Sequence, residues 1–342
     1  MKTVLFCGGG TLGPVVPLLA VLRKMKKMNP DLSFEWAGTE EGPERVLIQK
    51  EGIPFHTIPT AKFARYFTLD WLRWPARYLR ARKAAKLLIE KIQPALVVSA
   101  GGFTAVPVMR EANRRKISCA IHQLDAEPGL SNRIVAKFCQ NVTTSFAYNE
   151  SLFGSVKTEQ VATPCRFQYE DLAEHVSDRP TVLVVGGGTG AQALNEAVWK
   201  ILDELLKEAN VIHATGKGKG SDIKKAGYDS MEFLNEENML IAYSSADVVV
   251  TRAGMGGLSE LASLKKAAIV VPIPRSHQEA NAKKMPYPIV EQGEKFGERL
   301  HDAVHKLLSD TDKRLKLGES AHRTLPTDDG TALAEKWNQL LG

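Results

Sequence analysis

The chain has 342 residues, of which 44% are hydrophobic and 25% are charged, and its formal net charge is +6. This length exceeds one typical domain and suits two, and the composition excludes a disordered or collagen-like chain. The four cysteines form no CxxC pair, which favours buried thiols in a reducing compartment. No apolar run reaches the roughly 18 residues that a membrane-spanning helix needs. Because the first predicted strand begins at Thr3, we expect no signal peptide and a cytoplasmic protein.

The predicted strands fall into two series, each alternating with helical patterns. The first series covers residues 3–7, 33–37, 95–99, 118–122 and 142–145. The second series covers residues 181–185, 211–214, 239–241, 248–251 and 268–271. Continuous apolar strands between helices are typical of parallel sheets covered on both faces. We therefore predict an α/β fold with two Rossmann-like, doubly wound parallel-sheet domains that face a central cleft.

The two predicted domains open on similar sequences. They are "VLFCGGGTLGPVVP", residues 4–17, and "VLVVGGGTGAQALN", residues 182–195. Pro164, in the segment "VATPCR", breaks regular structure and marks the join between the domains. The predicted boundaries are 1–162 for the N-terminal domain, 163–328 for the C-terminal domain, and 329–342 for a helix that packs back on the N-terminal domain.

Four glycine-rich segments each lie between a predicted strand and a predicted helix. Besides the two opening segments, they are "SAGGFTAVP", residues 99–107, and "TRAGMGGLSE", residues 251–260. Glycine lets the backbone approach a phosphate, and a helix N-terminus supplies free N–H groups and positive potential. The alternative is a set of tight turns without any ligand. Four such loops favour two diphosphate-bearing ligands, one for each domain.

A dinucleotide-binding enzyme is another interpretation of the opening loop. Gly8, Gly10 and Gly13 satisfy the pattern GxGxxG, and Glu35 near the end of the second strand would then bind the ribose. The duplicated loop disfavours this interpretation, because a single dinucleotide site needs one set of glycines. No GK[ST] follows the opening loops, so the Walker pattern fails.

Taken in order, the motifs resemble those of the MurG family, the UDP-N-acetylglucosamine:lipid-linked muramyl-peptide N-acetylglucosaminyltransferases of peptidoglycan synthesis. "GGGTLGPVVP" is similar to the family's GGTGGHxxP, "GGFTAVP" to GGYxSxP, and "IHQLDAEPGLSNRIVAK" to IHEQNxxxGxxNr. "ATPCR" resembles GNPVR, "VVGGGTGAQALN" resembles VxGGSqGAxxlN, and "TRAGMGGLSELA" resembles R[SA]GAxTxxE. "HQEANA", residues 277–282, resembles the end of the donor-sugar motif.

The resemblance implies a GT-B fold with the acceptor in the N-terminal domain and the UDP-sugar in the C-terminal domain. It implies inverting transfer of N-acetylglucosamine from UDP-N-acetylglucosamine to a muramyl-peptide on a polyprenyl diphosphate, without a metal or another cofactor. Glu260 would bind the uridine ribose, and Gln278 would bind the sugar hydroxyls. Arg166 would be a cationic donor contact, and Leu234 would bind uracil through its backbone. The other implied donor residues are Gly188, Thr189, Met255, Gly256, Gly257, Leu258 and Ser259. The implied acceptor and diphosphate loops contain Gly10, Thr11, Leu12, Gly13, Gly102, Phe103 and Asn132.

The chain departs from the family pattern in the predicted acceptor domain. Where the family loop has GGH, this chain has Leu12, Gly13 and Pro14, so the suspected catalytic histidine of the family is absent. The remaining candidates for the general base are Asp125 and His122, and such a base contributes about 10²–10⁴-fold to the rate. The alternative for Asp125 is a turn-capping role, and the alternative for His122 is a strand-end histidine bonded to backbone.

Residues 62–86, "KFARYFTLDWLRWPARYLRARKAAK", carry eight basic residues and one acid. Aromatic residues recur at helical spacing, and Pro75 is predicted to begin a second helix. This pattern is typical of an interfacial membrane segment, whereas a helix packed on its own sheet is the alternative. No nucleic-acid motif accompanies it, so we expect no nucleic-acid partner. With the resemblance, the segment predicts peripheral binding to the anionic cytoplasmic face of the membrane through Phe63, Phe67, Trp71, Trp74, Arg77 and Arg80.

Three other functions compete with this assignment. They are a related UDP-sugar transferase with another lipid acceptor, a UDP-sugar 2-epimerase, and a catalytically inactive binder of lipid-linked or UDP-linked sugars. A metal-dependent transferase would show a DxD near a strand end. The DxD of this chain, Asp310 and Asp312, lies between predicted late helices, where we expect a solvated turn and a helix cap.

Overall fold

A computed structural model describes residues 1–59, 70–148, 152–174, 177–187 and 190–342, with residues 70–74 described by their backbone alone. The chain separates into two compact units. Unit 1 comprises Met1–Pro164 together with Asp328–Gly342, and unit 2 comprises Cys165–Thr327.

Unit 1 is built on a parallel sheet with the strand order β3-β2-β1-β4-β5-β6-β7. Its strands are β1 (Thr3–Cys7), β2 (Ser33–Gly38), β3 (Phe55–Thr57), β4 (Leu96–Ser99), β5 (Ser118–Gln123), β6 (Asn141–Thr144) and β7 (Glu159–Gln160), followed by the short β8 (Thr163–Pro164). Its helices are α1 (Val15–Met28), α2 (Glu44–Lys50), α3 (Asp70–Ile92), α4 (Ala105–Arg114) and α5 (Leu130–Val135), with a 3₁₀ turn at Ala136–Phe138. The order 3-2-1-4-5 is that of a doubly wound Rossmann-like sheet.

The central strands of unit 1 are apolar on both faces because helices cover both faces of the sheet. In β1 the residues from Val4 to Cys7 are fully buried, and all four residues of β4 are buried. Helix α1 turns its apolar stripe to the sheet and ends at Asn29 with two lysines in its last turn, where cations stabilise the helix dipole.

Helix α3 is continuous from Asp70 to Ile92 and contains Pro75 within it. The prediction that Pro75 begins a second helix is therefore wrong. Proline is missing one backbone donor and ordinarily costs about 3 kcal/mol in a helix interior. Pro75 is the sixth residue of α3. The helix has therefore completed little more than one turn before the proline, and it continues beyond it to Ile92.

The last helix of the chain, α13 (Thr331–Asn338), lies in unit 1 and packs on α1, and a 3₁₀ turn at Gln339–Leu341 follows it. Trp337 is fully buried, with its ring centroid 6.2 Å from that of Phe6, which in turn stacks on Trp36 at 5.7 Å. Lys24 on α1 forms a 2.7 Å ion pair with Asp329. Three aromatic rings thus join the C-terminal helix to the core beside β1.

Unit 2 is built on a second parallel sheet with the order β11-β10-β9-β12-β13. Its strands are β9 (Thr181–Val185), β10 (Asn210–Ala214), β11 (Tyr228–Met231), β12 (Val248–Thr251) and β13 (Ala268–Val270). Its helices are α6 (Gln192–Lys200), α7 (Leu202–Glu208), α8 (Glu236–Ser245), α9 (Met255–Ser263), α10 (His277–Lys284), α11 (Phe296–Leu308) and α12 (Thr311–Thr324), with a 3₁₀ turn at Tyr169–Asp171. The two-residue β14 (Thr327–Asp328) completes the chain's strands within the described ranges.

Nine of the ten predicted strands are confirmed to within a residue or two at their ends. The exception is 239–241, which lies inside α8. The apolar run Met-Leu-Ile there is one turn of a helix whose N-cap, Asn235, accepts a hydrogen bond from the Asn238 amide. Helix α8 has ten residues, whereas the apolar run that suggested a strand has three. The Asn235 side chain satisfies an amide of the first turn, and such a cap favours a helix.

Candidate active site

Each unit has one point where its strand order reverses, and such switch points are where doubly wound sheets bind ligands. In unit 1 the reversal lies between β1 and β4, and in unit 2 between β9 and β12. The four glycine-rich segments follow these four strands. The sequence motifs therefore lie at the two switch points, one pair in each unit.

In unit 1 the loops after β1 and β4 approach each other through their backbones. A Cβ at Gly8 would lie 3.1 Å from Gly101 O, and a Cβ at Gly102 would lie 3.1 Å from Gly9 O. Gly102 also has φ +105°, which side chains rarely adopt. These glycines are explained by loop-to-loop packing, so their presence alone does not indicate a ligand.

Two backbone amides of the first loop already have acceptors within the protein. The Gly8 amide donates to Ala37 O at 3.1 Å, and the Gly10 amide donates to Oε2 of Glu44 at 3.1 Å. Gly10 belongs to a predicted acceptor and diphosphate loop, and in this structure its amide is engaged by Glu44. Thr11 and Gly13 are exposed, and Leu12 is half-buried with its carbonyl accepting from Val15 and Val16 at the start of α1.

His122 lies at the end of β5 and is 1% exposed. Its Nδ1 lies 3.0 Å from Thr143 Oγ1 and its Nε2 lies 3.0 Å from Ser145 Oγ. Burial lowers the pKa of His122 to about 3. Both nitrogens of the neutral ring form hydrogen bonds to hydroxyls, so neither is free to accept a proton from the acceptor substrate. This arrangement argues against the predicted catalytic role. The alternative of backbone bonding was also not what the structure shows, because the partners are side chains.

Gln123 and Asn132 are hydrogen-bonded to each other, and Gln123 also bonds the backbone of the loop that carries Asp125. Asn132 Nδ2 donates to Gln123 Oε1 at 2.7 Å, and Gln123 Nε2 donates to the Asp125 carbonyl at 2.7 Å. Asp125 itself is half-buried. Burial raises the pKa of Tyr148 to about 12, and the Asp125 and Glu127 carboxylates add to the rise. The Asp125 carboxylate is thus near a phenol and partly open to solvent.

Asn132 also links this loop to the segment after β4. It is 5% exposed, and its Oδ1 is a buried acceptor with no hydrogen-bond partner among the described residues. A Cβ at Gly101 would lie 3.5 Å from that oxygen. Phe103 is half-buried just before α4. The structure therefore brings Gly102, Phe103 and Asn132 to one end of the unit 1 sheet.

In unit 2, helix α9 begins directly after β12 and has no side-chain cap at its N-cap residue, Gly254. Gly256 and Gly257 are half-buried, and a Cβ at Gly256 would meet nothing within 4 Å. Met255, Leu258 and Ser259 are buried, and the Ser259 hydroxyl donates to Gly256 O at 2.9 Å. The accessible part of the predicted diphosphate site is therefore the pair of glycines, with the uncapped amides of the first turn.

The carboxylate of Glu260 is held on both sides. Arg166 Nε donates to Oε1 at 2.8 Å, and the buried phenol of Tyr243 donates to Oε2 at 2.9 Å. Burial raises the pKa of Tyr243 well above its usual value, and the Glu260 carboxylate adds to that rise. The Arg166 guanidinium also lies over the ring of Phe167, 4.6 Å from its centroid. Arg166 therefore contacts Glu260 directly in this structure.

The other predicted donor residues surround this group in part. Gln278 Oε1 accepts from the Ile273 amide at 3.1 Å, which orients its side-chain amide, and a Cβ at Gly254 would lie 3.9 Å from Nε2. The Leu234 side chain is buried. Gly188 and Thr189 lie outside the described residues, whereas neighbouring Gly190 has φ +70° and packs its Cα against the backbone of Thr215.

Three buried polar side chains near these sites were missed by sequence reasoning: Glu44, Tyr243 and Arg252. Arg252 is 8% exposed and its Nη1 donates to Val271 O at 3.0 Å, fixing the end of β13 from which the Gln278 loop departs. Arg252 stands within the motif "TRAGMGG" and could have been found there. Glu44 and Tyr243 are far in sequence from the residues they contact, and no local pattern marks them.

Glu35, the ribose-binding acid of the dinucleotide interpretation, is in close hydrogen-bonding contact with Nε2 of His56 on the neighbouring β3. The DxD prediction for the late helices is confirmed, since Asp310 is the N-cap of α12 and accepts from the Lys313 amide at 2.9 Å. Across the described ranges, no group of three or more His, Cys, Asp or Glu side chains could hold a metal ion.

The predicted membrane residues lie in and before α3. Phe63 and Phe67 lie outside the described residues, and the side chains of Trp71 and Trp74 are not described. Arg77 and Arg80 are exposed on α3. Next to them, α3 and α4 enclose a groove of about 570 Å³ lined by Leu79, Arg82, Lys83, Lys86, Glu111, Arg114 and Arg115. No helix in the described part of the chain is long and apolar enough to cross a membrane.

Comparison with known proteins gives a family match for each of the two units. The glycosyltransferase family 28 N-terminal domain matches residues 4–144, and the glycosyltransferase family 28 C-terminal domain matches residues 181–326. The fold and these matches together define a two-domain glycosyltransferase of this class, which confirms the predicted pair of Rossmann-like domains.

Individual relatives narrow the class further. The chain is 37% identical over 284 residues to the UDP-N-acetylglucosamine--N-acetylmuramyl-(pentapeptide) pyrophosphoryl-undecaprenol N-acetylglucosamine transferase of Lachnoclostridium phytofermentans, covering 80% of this chain and 79% of the relative. It is 30% identical to the enzyme of the same name from Clostridium kluyveri, covering 100% and 98%. The crystal structure of Acinetobacter baumannii MurG matches with a TM-score of 0.79 at 24% identity, over 99% of this chain and 100% of that one. The chain belongs to the MurG family of glycosyltransferases.

Proposed function

We propose that the chain transfers N-acetylglucosamine from UDP-N-acetylglucosamine to a muramyl-peptide carried on a polyprenyl diphosphate, a step of peptidoglycan synthesis. The relatives named above carry this activity in their names, over up to the full length of the chain. The observation that carries the proposal is the Glu260 carboxylate, held by Arg166 and Tyr243 next to the uncapped N-terminus of α9.

Glu260 has the right remaining capacity for a ribose. An ionised carboxylate offers about four lone-pair positions on its two oxygens. Arg166 and Tyr243 use one position on each oxygen. One position on each oxygen remains, which suits the two vicinal hydroxyls of uridine. The same two contacts fix the carboxylate plane before the nucleotide binds, so less rotamer entropy is lost on binding.

The start of α9 supports the diphosphate part of the proposal. The first-turn amides of a helix have no intrahelical acceptors and carry positive potential. Gly256 leaves room for an anion to approach the backbone, because a Cβ there would meet nothing within 4 Å. As UDP departs, the same amides would stabilise its growing charge. Gln278, oriented by the Ile273 amide, supplies side-chain hydrogen-bonding groups for the sugar hydroxyls.

Unit 1 would hold the acceptor. Its candidate residues lie at the carboxyl ends of β1, β4 and β5: Thr11, Leu12, Gly13, Gly102, Phe103 and Asn132. The unpartnered Oδ1 of Asn132 is a buried acceptor, and an unsatisfied buried polar group costs about 1–3 kcal/mol. A hydroxyl of the acceptor sugar would supply the missing donor.

In the transfer step the C4 hydroxyl of the acceptor attacks the anomeric carbon of N-acetylglucosamine. A new carbon–oxygen bond forms, the bond from that carbon to the β-phosphate oxygen breaks, and UDP leaves on the opposite face with inversion. The hydroxyl proton passes to a base. Asp125 is that base in our proposal, since it is an accessible carboxylate on the loop that Gln123 orders.

We further propose that the protein binds the cytoplasmic face of the membrane peripherally through unit 1. Helices α3 and α5 expose the apolar side chains of Leu79, Leu130 and Ile134. Basic side chains line the α3–α4 groove together with Leu79, and each near an anionic surface contributes about 1 kcal/mol. Sedimentation with phosphatidylglycerol vesicles tests this. The pair Lys83→Glu and Lys86→Glu should reduce binding by more than about tenfold, whereas Lys217→Glu with Lys224→Glu, an equal charge change in unit 2, should not. Equal binding by both variants would contradict the proposed surface.

The function is tested by UDP release with and without a synthetic polyprenyl-diphosphate muramyl-peptide, with the product identified by mass spectrometry. Acceptor-dependent UDP release and a disaccharide product are expected. Release only with a different lipid-linked acceptor would indicate the related transferase. UDP-N-acetylglucosamine binding without release would indicate an inactive homologue, and conversion of the sugar without any acceptor would indicate an epimerase.

A further inference from the structure

Glu44, the first residue of α2, is a fully buried carboxylate beneath the first glycine-rich loop. Its Oε1 accepts from the Thr39 amide at 2.7 Å and from Thr39 Oγ1 at 2.6 Å. Its Oε2 accepts from the Gly10 amide at 3.1 Å. All three partners are donors, which matches the acceptor-only character of an ionised carboxylate. All three are also neutral, so the charge is balanced by hydrogen bonds to dipoles.

The surrounding backbone is shaped around this carboxylate. A Cβ at Gly9 or at Gly42 would overlap the Glu44 side chain, and a Cβ at Gly38 would overlap the Phe55 ring and lie 3.1 Å from Glu44 Oε1. None of these three glycines needs a positive φ, so the absence of a side chain at each position is explained by space. Two loops and the end of β2 therefore enclose Glu44 closely.

This contact changes what the first loop can offer to a ligand. With the Gly8 amide bonded to Ala37 O and the Gly10 amide bonded to Glu44, the buried half of the loop is held by the protein. A negative charge beneath Gly10 also opposes an anion at that point. The outer half, in which Thr11 and Gly13 are exposed and Leu12 is half-buried, remains for the acceptor.

We propose that Glu44 is a positioning residue that fixes the loop from Gly8 to Gly13 in its acceptor-binding form by holding the Gly10 amide. This inference rests on the proposed function, because it assumes that unit 1 binds the lipid-linked acceptor. Glu44 does not touch the acceptor and acts only through the loop. Its removal changes acceptor recognition and leaves the donor site in unit 2 unaffected.

The test is Glu44→Gln, compared with Thr39→Val. The glutamine keeps the volume but has one acceptor oxygen, so it cannot receive both the Thr39 and the Gly10 amides. Valine at position 39 removes the hydroxyl donor to the same carboxylate and leaves the Gly10 contact in place. Both variants lose buried hydrogen bonds and are expected to be destabilised, so the pair separates loop positioning from stability.

We expect Glu44→Gln to lower kcat/KM for the lipid acceptor about 10- to 100-fold, as for loss of a hydrogen bond to a charged group. KM for UDP-N-acetylglucosamine should stay within twofold in both variants, and Thr39→Val should retain acceptor kinetics. Hydrogen–deuterium exchange of the peptide spanning residues 4–17 should accelerate in Glu44→Gln alone.

Equal acceptor kinetics in Glu44→Gln and Thr39→Val, or unchanged exchange of the loop in Glu44→Gln, would overturn the inference. The exchange readout needs no turnover, so it judges the role of Glu44 even if the wild type transfers nothing. A wild type without acceptor-dependent UDP release would instead overturn the proposed function.

Discussion

The hydroxyl of Tyr243 donates a 2.9 Å hydrogen bond to Oε2 of Glu260, entirely within the buried part of unit 2. The tyrosine lies on α8 and the glutamate on α9, so the contact joins two neighbouring helices behind the proposed ribose site. Because Arg166 holds the other oxygen, loss of either donor would let the carboxylate rotate. If Glu260 binds the ribose, as we propose, this contact makes Tyr243 a determinant of donor affinity that no motif reveals.

Tyr243→Phe is expected to raise KM for UDP-N-acetylglucosamine about 3- to 10-fold, the effect of one neutral hydrogen bond of roughly 1 kcal/mol. The acceptor KM should not change, because the tyrosine contacts only the donor side. Steady-state kinetics with each substrate varied in turn checks this. Tyr228→Phe is the matched control, since its buried hydroxyl contacts Trp199 and His213 and no donor residue. A similar rise in KM in both variants would mean that the effect is general destabilisation.

Gly256→Ala should move stability and affinity in opposite directions. Alanine in a helix is more stable than glycine by about 0.5–1 kcal/mol, and outside the helix's own backbone the new Cβ would meet nothing within 4 Å. If the diphosphate occupies that space, UDP affinity should fall at least tenfold. Thermal unfolding and calorimetric titration with UDP measure the two quantities. Unchanged UDP affinity in a stabilised variant would remove the start of α9 from the donor site.

Asp125→Asn is expected to lower kcat by about 10²–10⁴-fold, the usual contribution of a general base. UDP affinity should not change, because Asp125 lies in unit 1. Glu127→Gln is the control, since Glu127 is an exposed acid of the same loop. Pre-steady-state kinetics separates the chemical step from substrate binding. Turnover of the asparagine variant at the wild-type rate would exclude Asp125 as the base.

Two histidines that are buried among the described residues make the stability of each unit depend on pH. Burial lowers the pKa of His122 in unit 1 to about 3 and that of His213 in unit 2 to about 4. Both are neutral when folded, so the unfolded chain binds more protons below its own histidine pKa of about 6.5. The contribution of each histidine to the free energy of unfolding is fully present above that pH. It declines as the pH falls from about 6.5 toward 4, by about 1.4 kcal/mol per pH unit for each histidine.

Urea titrations of the wild type, His122→Gln and His213→Gln between pH 7 and pH 4.5 check this linkage. In each variant the slope of the free energy of unfolding against pH should fall by the contribution of one histidine. The change should appear in the unfolding of the unit that carries the substitution. A slope that is the same in His122→Gln as in the wild type would show that His122 takes up a proton as readily in the folded protein as in the unfolded chain, and would restore it as a candidate base.

The sequence predicted most of the framework because the central strands are buried on both faces and read as unbroken apolar runs. The strands that escaped, β3, β7, β8, β11 and β14, are two to four residues long, and sequences such as "FHT" and "YDSM" carry no such run. The apolar residues 239–241 misled in the other direction. The helix signals that precede them, Asn235 and the acids Glu236 and Glu237, were the better indicator.

From the residue pattern alone, the candidate site could be predicted only where glycine marks a close backbone approach, whereas Arg166, Glu260 and Gln278 were predicted from the family resemblance. The loops after β1, β4, β9 and β12 were located in this way. Glu44 and Tyr243 could not be, because each acts through a contact with a residue 34 or 17 positions away that depends on the folded sheet. A local sequence pattern indicates local geometry, whereas the contacts of these two side chains form only when distant parts of the chain come together in the fold.

The central claim is that Glu260 binds the uridine ribose. Calorimetric titration of the wild type and Glu260→Gln with UDP and with 2′-deoxy-UDP tests it most directly. The wild type should prefer UDP about tenfold or more, as expected for a hydrogen bond to a charged group, and the variant should show a preference of less than about threefold. An undiminished preference for UDP in Glu260→Gln would contradict the account.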